Sequence, residues 1–238
     1  MKTIASRQNP LFKRVREAIR EHAAEIVIEG PKPVADAIAS GWTPLMLITR
    51  GPSADFPDAA VFTPEVFDSL SETRSPQDVL GLFERPSASF AELVTRRETV
   101  IVALDSVQDP GNVGTIVRLA AAFDAAGVAL LPGCADAFGP KAIRSSAGAI
   151  LTVPVVNVTP DELLACGLPR YAAELTGDMS DPPARAAVLI FGSEGRGIRE
   201  ELLRATTPIA IPMSARVESL NVAAAAAILL SRSFGLRG

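Results

Sequence analysis

From Thr99 onward the chain carries a series of apolar runs, VIVAL, VALL, TVPVV, AVLIF and PIAIP, in which apolar and polar residues do not alternate. A strand with one wet face alternates; one that is apolar throughout has to be covered on both sides, as parallel strands flanked by helices are. The intervening segments supply such helices, over residues 113–125, across GPKAIRSSAG and over residues 219–234. Together with RYAAEL, the pattern predicts an α/β fold with a parallel sheet wrapped on both faces.

The first part of the chain reads differently. In NPLFKRVREAIREH, Asn9 is placed to cap a helix whose first residue is Pro10, and Leu11, Val15 and Ile19 recur at helical spacing. EIVIE, PLMLIT, AVFT and VLGLFE follow as short strands, with helices starting near Pro31 and Pro64. The sequence RPSASFAELVTRRE marks a boundary, with Pro and Ser leading into a short polar helix. This predicts a small α/β domain over residues 1–85, a linker over 86–98 and the parallel-sheet domain over 99–238.

A length of 238 residues with 48% hydrophobic content excludes a disordered or fibrous chain. Neither a secretory signal nor an apolar run long enough to span a bilayer is visible, so a cytoplasmic protein without membrane partners is expected. Cys134 and Cys166 form no CxxC pattern and His22 is the single histidine, which leaves almost no material for a metal site or a Cys/His nucleophile pair. The net charge of -4 argues against bulk coating of nucleic acid. Residues 1–20 are nonetheless basic, with Lys2, Arg7, Lys13, Arg14, Arg16 and Arg20 against Glu17. That is either a solvated helix face or a local contact for RNA phosphates.

Three junctions that follow strands combine glycine with unusual polar residues. The first, DSVQDPGNVGTIVRL, holds Asn112 and Arg118; six residues apart on one helix they would diverge by about 120°, so convergence requires Asn112 to lie in the loop. The second, AVLIFGSEGRGI, surrounds Glu194 with glycines whose bare amides can approach a ligand. The third places Ser219, Leu220 and Asn221 at the start of the last helix. Each alone is also consistent with a plain turn or cap. Neither glycine loop reads GxGxxG and no GK[ST] occurs, which counts against dinucleotide and P-loop phosphate binding.

In this order, LDSVQDPGNVGTIVRLAAAFDAAGV, VLIFGSEGRGI and IPMSARVESLNVAAAAAILL resemble the three motifs of the SpoU/TrmH family of RNA 2′-O-methyltransferases in the SPOUT superfamily. IASRQNPLFKRV, IEGPKPVADAI and SPQDVLG are similar to that family's substrate-binding domain, so the resemblance covers nearly the whole chain. It implies a C-terminal SPOUT domain with a deep trefoil knot, a rare exception to unknotted topology, preceded by a small α/β substrate-binding domain. It also implies a homodimer, to which the small side chains of residues 223–227 are suited by allowing close helix packing.

Carried over by position, the resemblance makes Asn112, Arg118, Glu194, Ser219 and Asn221 the catalytic set, and Gly192, Ile211, Met213 and Leu220 the binding positions for S-adenosylmethionine. Arg7, Lys13, Arg16 and Arg20 are the expected RNA contacts of the first domain, and Lys141, Arg144 and Ser145, in AFGPKAIRSSAGAI, those of the second. Gly111 stands where the family often has a bulkier residue such as His. The implied activity is S-adenosylmethionine-dependent ribose 2′-O-methylation of structured RNA, ribosomal before transfer RNA, without a metal. A non-catalytic RNA-binding protein on the same fold and an oxidoreductase on a Rossmann-like sheet are the rival readings.

Overall fold

The computed structural model of the chain describes residues 3–71, 75–96, 98–177, 181–214 and 216–236; Lys2 of the basic stretch lies outside them. The chain divides into two compact units, one of residues 1–86 with 138–143, the other of residues 87–137 with 144–238.

The first unit contains α1 (Pro10–Glu21), β1 (Glu25–Glu29), α2 (Pro31–Ala39), β2 (Pro44–Thr49), β3 (Ala60–Val61), α3 (Pro64–Asp68) and β4 (Val79–Glu84). Its sheet has the order β1-β4-β2-β3, with β4 antiparallel to both neighbours and β2 parallel to β3. As the sequence indicates, the Asn9 side chain caps α1 by accepting from the Leu11 amide at 2.8 Å. Phe12, Val15 and Ala18 are the buried stripe of that helix, while Leu11 and Ile19 flank it at the edge of the core. Trp42 stands edge-on to Phe83, with centroids 6.1 Å apart, and also meets Phe138; the Arg85 guanidinium lies 4.5 Å from the Phe138 ring. These contacts seat residues 138–143 in this unit, a placement that the sequence does not indicate.

The second unit comprises α4 (Phe90–Thr95), β5 (Val100–Asp105), α5 (Pro110–Ala122), β6 (Gly127–Leu130), the end of α6 (Pro140–Ser146), whose first four residues belong to the first unit, β7 (Val155–Asn157), α7 (Pro160–Ala165), β8 (Arg170–Glu174), β9 (Ala187–Gly192), α8 (Glu200–Leu203), β10 (Thr207–Ala210) and α9 (Val222–Gly235). Residues 86–98, read as a linker, include the capping-box helix α4, and its Leu93 is buried in this unit's core. The six strands are parallel throughout, in the order β10-β8-β9-β5-β6-β7. β5 is buried at every position and β9 at all but its last, as expected of central strands covered on both faces. Pro208 sits in β10, an edge strand, where a missing amide is tolerated.

From β5 the sheet grows one way through β6 and β7, and the chain then returns to build β8, β9 and β10 on the other side. The order therefore reverses between β5 and β9, and the crevice beyond the carboxyl ends of such strands is where open α/β sheets bind ligands. Asp105, the last residue of β5, is paired in register with Gly192, the last of β9. The Asp105 side chain is 1% exposed, and the Arg199 guanidinium closes on it: Nη2 and Nε donate to Oδ1 at 2.6 and 2.9 Å, and the Arg199 amide donates to Oδ2 at 2.7 Å. Arg199 Nη2 also donates to the Pro132 carbonyl, just past β6, at 2.9 Å. One ion pair thus ties the exits of β5, β6 and β9.

Burial pushes the Asp105 pKa up, but the hydrogen bonds and charge of Arg199 outweigh it and hold the carboxyl below the usual carboxylate range. A lowered folded-state pKa stabilises the fold above the ordinary value, and this contribution is lost as the pH falls through the folded one. Asp105→Ala, which takes from the Arg199 guanidinium its main partner and leaves it Glu201 at 3.6 Å and the Pro132 carbonyl, should cost about 3 kcal/mol in urea unfolding. As the pH falls from about 5, the wild type should lose stability more steeply than this variant.

Candidate active site

Three loops meet beyond the sheet's carboxyl end. α5 begins at Pro110, three residues earlier than the sequence pattern suggests, because Asp109 and not Asn112 is its cap: the Asp109 side chain accepts from the Gly111 amide at 3.1 Å. Asn112 is therefore in the first helical turn and not in the loop. Its side chain nonetheless reaches the other two junctions. Asn112 Nδ2 donates to Glu194 Oε1 at 3.1 Å, and Asn221 Nδ2 donates to the same oxygen at 2.7 Å and to Asn112 Oδ1 at 3.1 Å.

The orientation of Asn221 follows from helix chemistry. It is the N-cap of α9, and its Oδ1 accepts from the amides of Ala223 and Ala224 at 3.0 and 3.3 Å. The unsatisfied N–H groups of a helix start claim the side-chain oxygen, so the NH2 group has to face the other way, toward Glu194 and Asn112. Both amides thereby present donors to one carboxylate, which is acceptor-only when ionised.

The glycine loop after β9 folds back on its own strand. Ser193 and Gly197 exchange backbone hydrogen bonds at 3.2 and 2.8 Å, Gly197 takes a φ of 67°, and the Arg196 amide donates to Ser193 Oγ at 3.2 Å. A β-carbon on Gly192 would lie 2.2 Å from the Gly197 carbonyl carbon, so no other residue fits there without moving backbone. Beside this loop opens a cleft of about 230 Å³. Gly192, Ile211, Met213 and Leu220, the expected cofactor positions, all line it, as do Glu194 and Ser219. Phe191, Ile209 and Val222 give it apolar walls. Ala225 lines it too, so a larger side chain there would fill the cleft as well as disturb any helix contact.

Arg118 is not brought to this cluster. With Asn112 on the same helix the two diverge as helical geometry requires, and Arg118 is exposed on the outer face of α5 with no hydrogen bond or ion pair among the described residues. Lys13, Arg16 and Arg7 are likewise exposed and unpaired among the described residues, whereas Arg14 is held by Glu25 and Arg20 by Glu21 at 2.7 Å. On α6, Lys141 and Arg144 are exposed and Ser145 is half-buried. Sequence reasoning does not find Asp105 and Arg199; a buried acid ending a central strand is a visible signal, but its partner is 94 residues away.

The family model described as SpoU rRNA Methylase matches residues 99–231. Over 182 residues, 73% of this chain and 70% of its relative, the sequence is 37% identical to the 23S rRNA (guanosine(2553)-2′-O)-methyltransferase RlmP of Bacillus subtilis. It is 31% identical over 255 residues, 96% of this chain and 94% of the other, to the 23S rRNA (adenosine(1067)-2′-O)-methyltransferase of Streptomyces laurentii. The crystal structure of the AdoMet-bound rRNA methyltransferase from Sinorhizobium meliloti superposes with a TM-score of 0.84 at 28% identity, covering 98% of this chain and 97% of that one. The match extends over all three junctions and the cleft between them, and the chain belongs to the SpoU rRNA methylase family.

Proposed function

We infer that the protein transfers a methyl group from S-adenosylmethionine to the 2′-hydroxyl of a ribose in ribosomal RNA. The observation that carries this reading is the closed set of Asn112, Glu194 and Asn221 at the edge of an apolar cleft formed beyond the carboxyl ends of parallel strands. Relatives named for 23S rRNA favour ribosomal over transfer RNA. The intact polar set favours an enzyme over a non-catalytic RNA-binding protein.

The cleft suits the cofactor. Close packing of Gly192 on Gly197 holds the loop at the cleft wall, and Ile211, Met213 and Leu220 offer apolar surface for a planar base. The cofactor supplies a methyl group made electrophilic by its sulfonium. The chain's own residues have to hold the attacking hydroxyl in line with it and stabilise the charge that develops on the oxygen. In this reading Glu194, Asn112 and Asn221 form a rigid frame and Ser219 adds a hydroxyl at the cleft. Arg118 is the positioned cation that steadies alkoxide character. A guanidinium stays protonated, so the proton leaves to a phosphate or to water.

The exposed position of Arg118 agrees with a homodimer, in which the outer face of α5 would meet a second copy and Arg118 would serve a partner's cleft. The deep trefoil knot belongs to the same reading of the second unit. The first unit is the RNA-capturing domain, with Arg7, Lys13, Arg16 and Arg20 as its basic contacts, and Lys141, Arg144 and Ser145 of α6 are further RNA contacts.

Nucleoside mass spectrometry of ribosomal RNA from a deletion strain should lack one 2′-O-methyl mark that the wild-type gene restores. Arg118→Ala should fail to restore it while still binding S-adenosylhomocysteine and RNA, because its interaction strengthens only as charge develops; Arg118→Lys should rescue poorly, lacking the planar fork of donors. Near-wild-type turnover by Arg118→Ala would overturn its role. Replacing Lys13, Arg16 and Arg20 together by Ala should weaken RNA binding and flatten its logarithmic salt dependence by about 0.7–0.9 for every phosphate that is no longer neutralised, with cofactor affinity unchanged. Light scattering of the wild type at working concentration should give a dimer mass.

A further inference from the structure

A second carboxylate lines the cleft, and nothing among the described residues answers it. Glu174 is the last residue of β8, in register with Ala210 at the end of β10, and shares the cleft wall with Ala173, Phe191, Ile209 and Leu220. Unlike Glu194, which has two amide donors, Glu174 has no hydrogen bond or ion pair among the described residues. It is half-buried, and no Lys or Arg is among the described residues lining the cleft. Burial without a partner pushes its pKa up.

A carboxylate that is partly withdrawn from water is costly unless donors meet it, and ionised it can only accept. The cleft walls offer hydroxyls at Ser193 and Ser219 but no cation, and neither serine is hydrogen-bonded to Glu174 among the described residues, which leaves the carboxylate open to a donor on the ligand. S-adenosylmethionine carries three sets of donors: the adenine amine, the methionine ammonium and the vicinal hydroxyls of its ribose. The apolar surface of Ile209, Ile211, Leu220 and Met213 is the place for the flat base, and the sulfur has to approach the cluster at Glu194. The ribose joins the two, and Glu174 lines the same cleft as both. Two adjacent hydroxyls also match a carboxylate's pair of oxygens. Dinucleotide-binding sheets use the same chemistry, with an acidic side chain on the ribose hydroxyl near a glycine loop that holds the neighbouring group.

We propose that Glu174 accepts hydrogen bonds from the vicinal hydroxyls of the cofactor ribose and makes the cleft selective for a ribonucleoside ligand. This rests on the cofactor reading given above. Glu174 is a binding residue, and it leaves the reacting atoms to the cluster around Glu194.

Calorimetric titration of the full-length protein tests it with three probes: S-adenosylhomocysteine, its 2′,3′-dideoxy analogue, and 5′-methylthioadenosine, which keeps the ribose but has no ammonium. Glu174→Ala should weaken both ribose-bearing probes by about ten- to a hundredfold, the range for hydrogen bonds to a charged group. It should leave the already weak dideoxy analogue unchanged. Glu174→Gln, isosteric and still an acceptor, should fall between and covers the case in which the alanine variant does not fold. If the wild type binds none of the probes, the cofactor reading itself fails. If it binds them and Glu174→Ala and Glu174→Gln both match it, that reading stands and the role of Glu174 falls. An equal loss with the dideoxy analogue, or a loss with S-adenosylhomocysteine but not with methylthioadenosine, would also overturn the assignment to the ribose.

Discussion

The site depends on a charge that cannot reach water. Asp105 ends the central strand β5, and its carboxylate is satisfied by the side chain and the amide of Arg199. Loops at the end of a parallel sheet are otherwise free to drift, since each is anchored only by its own strand. Here the segment after β9 has to return to Asp105, because an unpaired buried charge costs more than the loop's freedom is worth. That requirement fixes where the chain leaves the Ser193–Gly197 turn, and with it where Glu194 can point. Ser106, held at a φ of 58°, adds a hydroxyl to Asp105 Oδ1 at 3.1 Å and completes the arrangement.

From that anchor the polar cluster follows by a short chain of causes. The start of α9 takes one face of the Asn221 amide, the other face then addresses Glu194, and Glu194 is shared with an amide from the first turn of α5. Each interaction is an ordinary hydrogen bond. Their specificity comes from the fact that three strand exits, those of β5, β9 and β10, contribute one side chain each.

Much of this is legible in the residues. Unbroken apolar runs announce buried parallel strands, and Asn9-Pro10 announces the start of α1, because both are local consequences of hydration and capping. The three junctions are legible as a set, and the cofactor positions implied by the family all line one cleft. Long-range pairings are not. Nothing near Asp105 names Arg199, and nothing in AFGPKA says that Phe138 meets Trp42. The start of α5 is ambiguous in the sequence because Asn112 and Asp109 are both good caps, and which one acts depends on where the chain leaves β5. Arg118 shows the limit most clearly: sequence spacing gives its angle around the helix, but not what stands opposite that angle.

Asn221 serves two masters. In most enzymes the residues that shape a site are poor choices for stability, and replacing them makes the protein sturdier. Here the same amide that faces Glu194 closes the first turn of the last helix. Aspartate would keep the cap but set a second negative charge against Glu194, serine would keep the cap and lose the reach, and alanine would surrender both. Folding alone therefore asks only for a capping residue at this position, and a descendant that had stopped using the cluster could exchange asparagine for serine at little cost to the helix while losing the donor to Glu194.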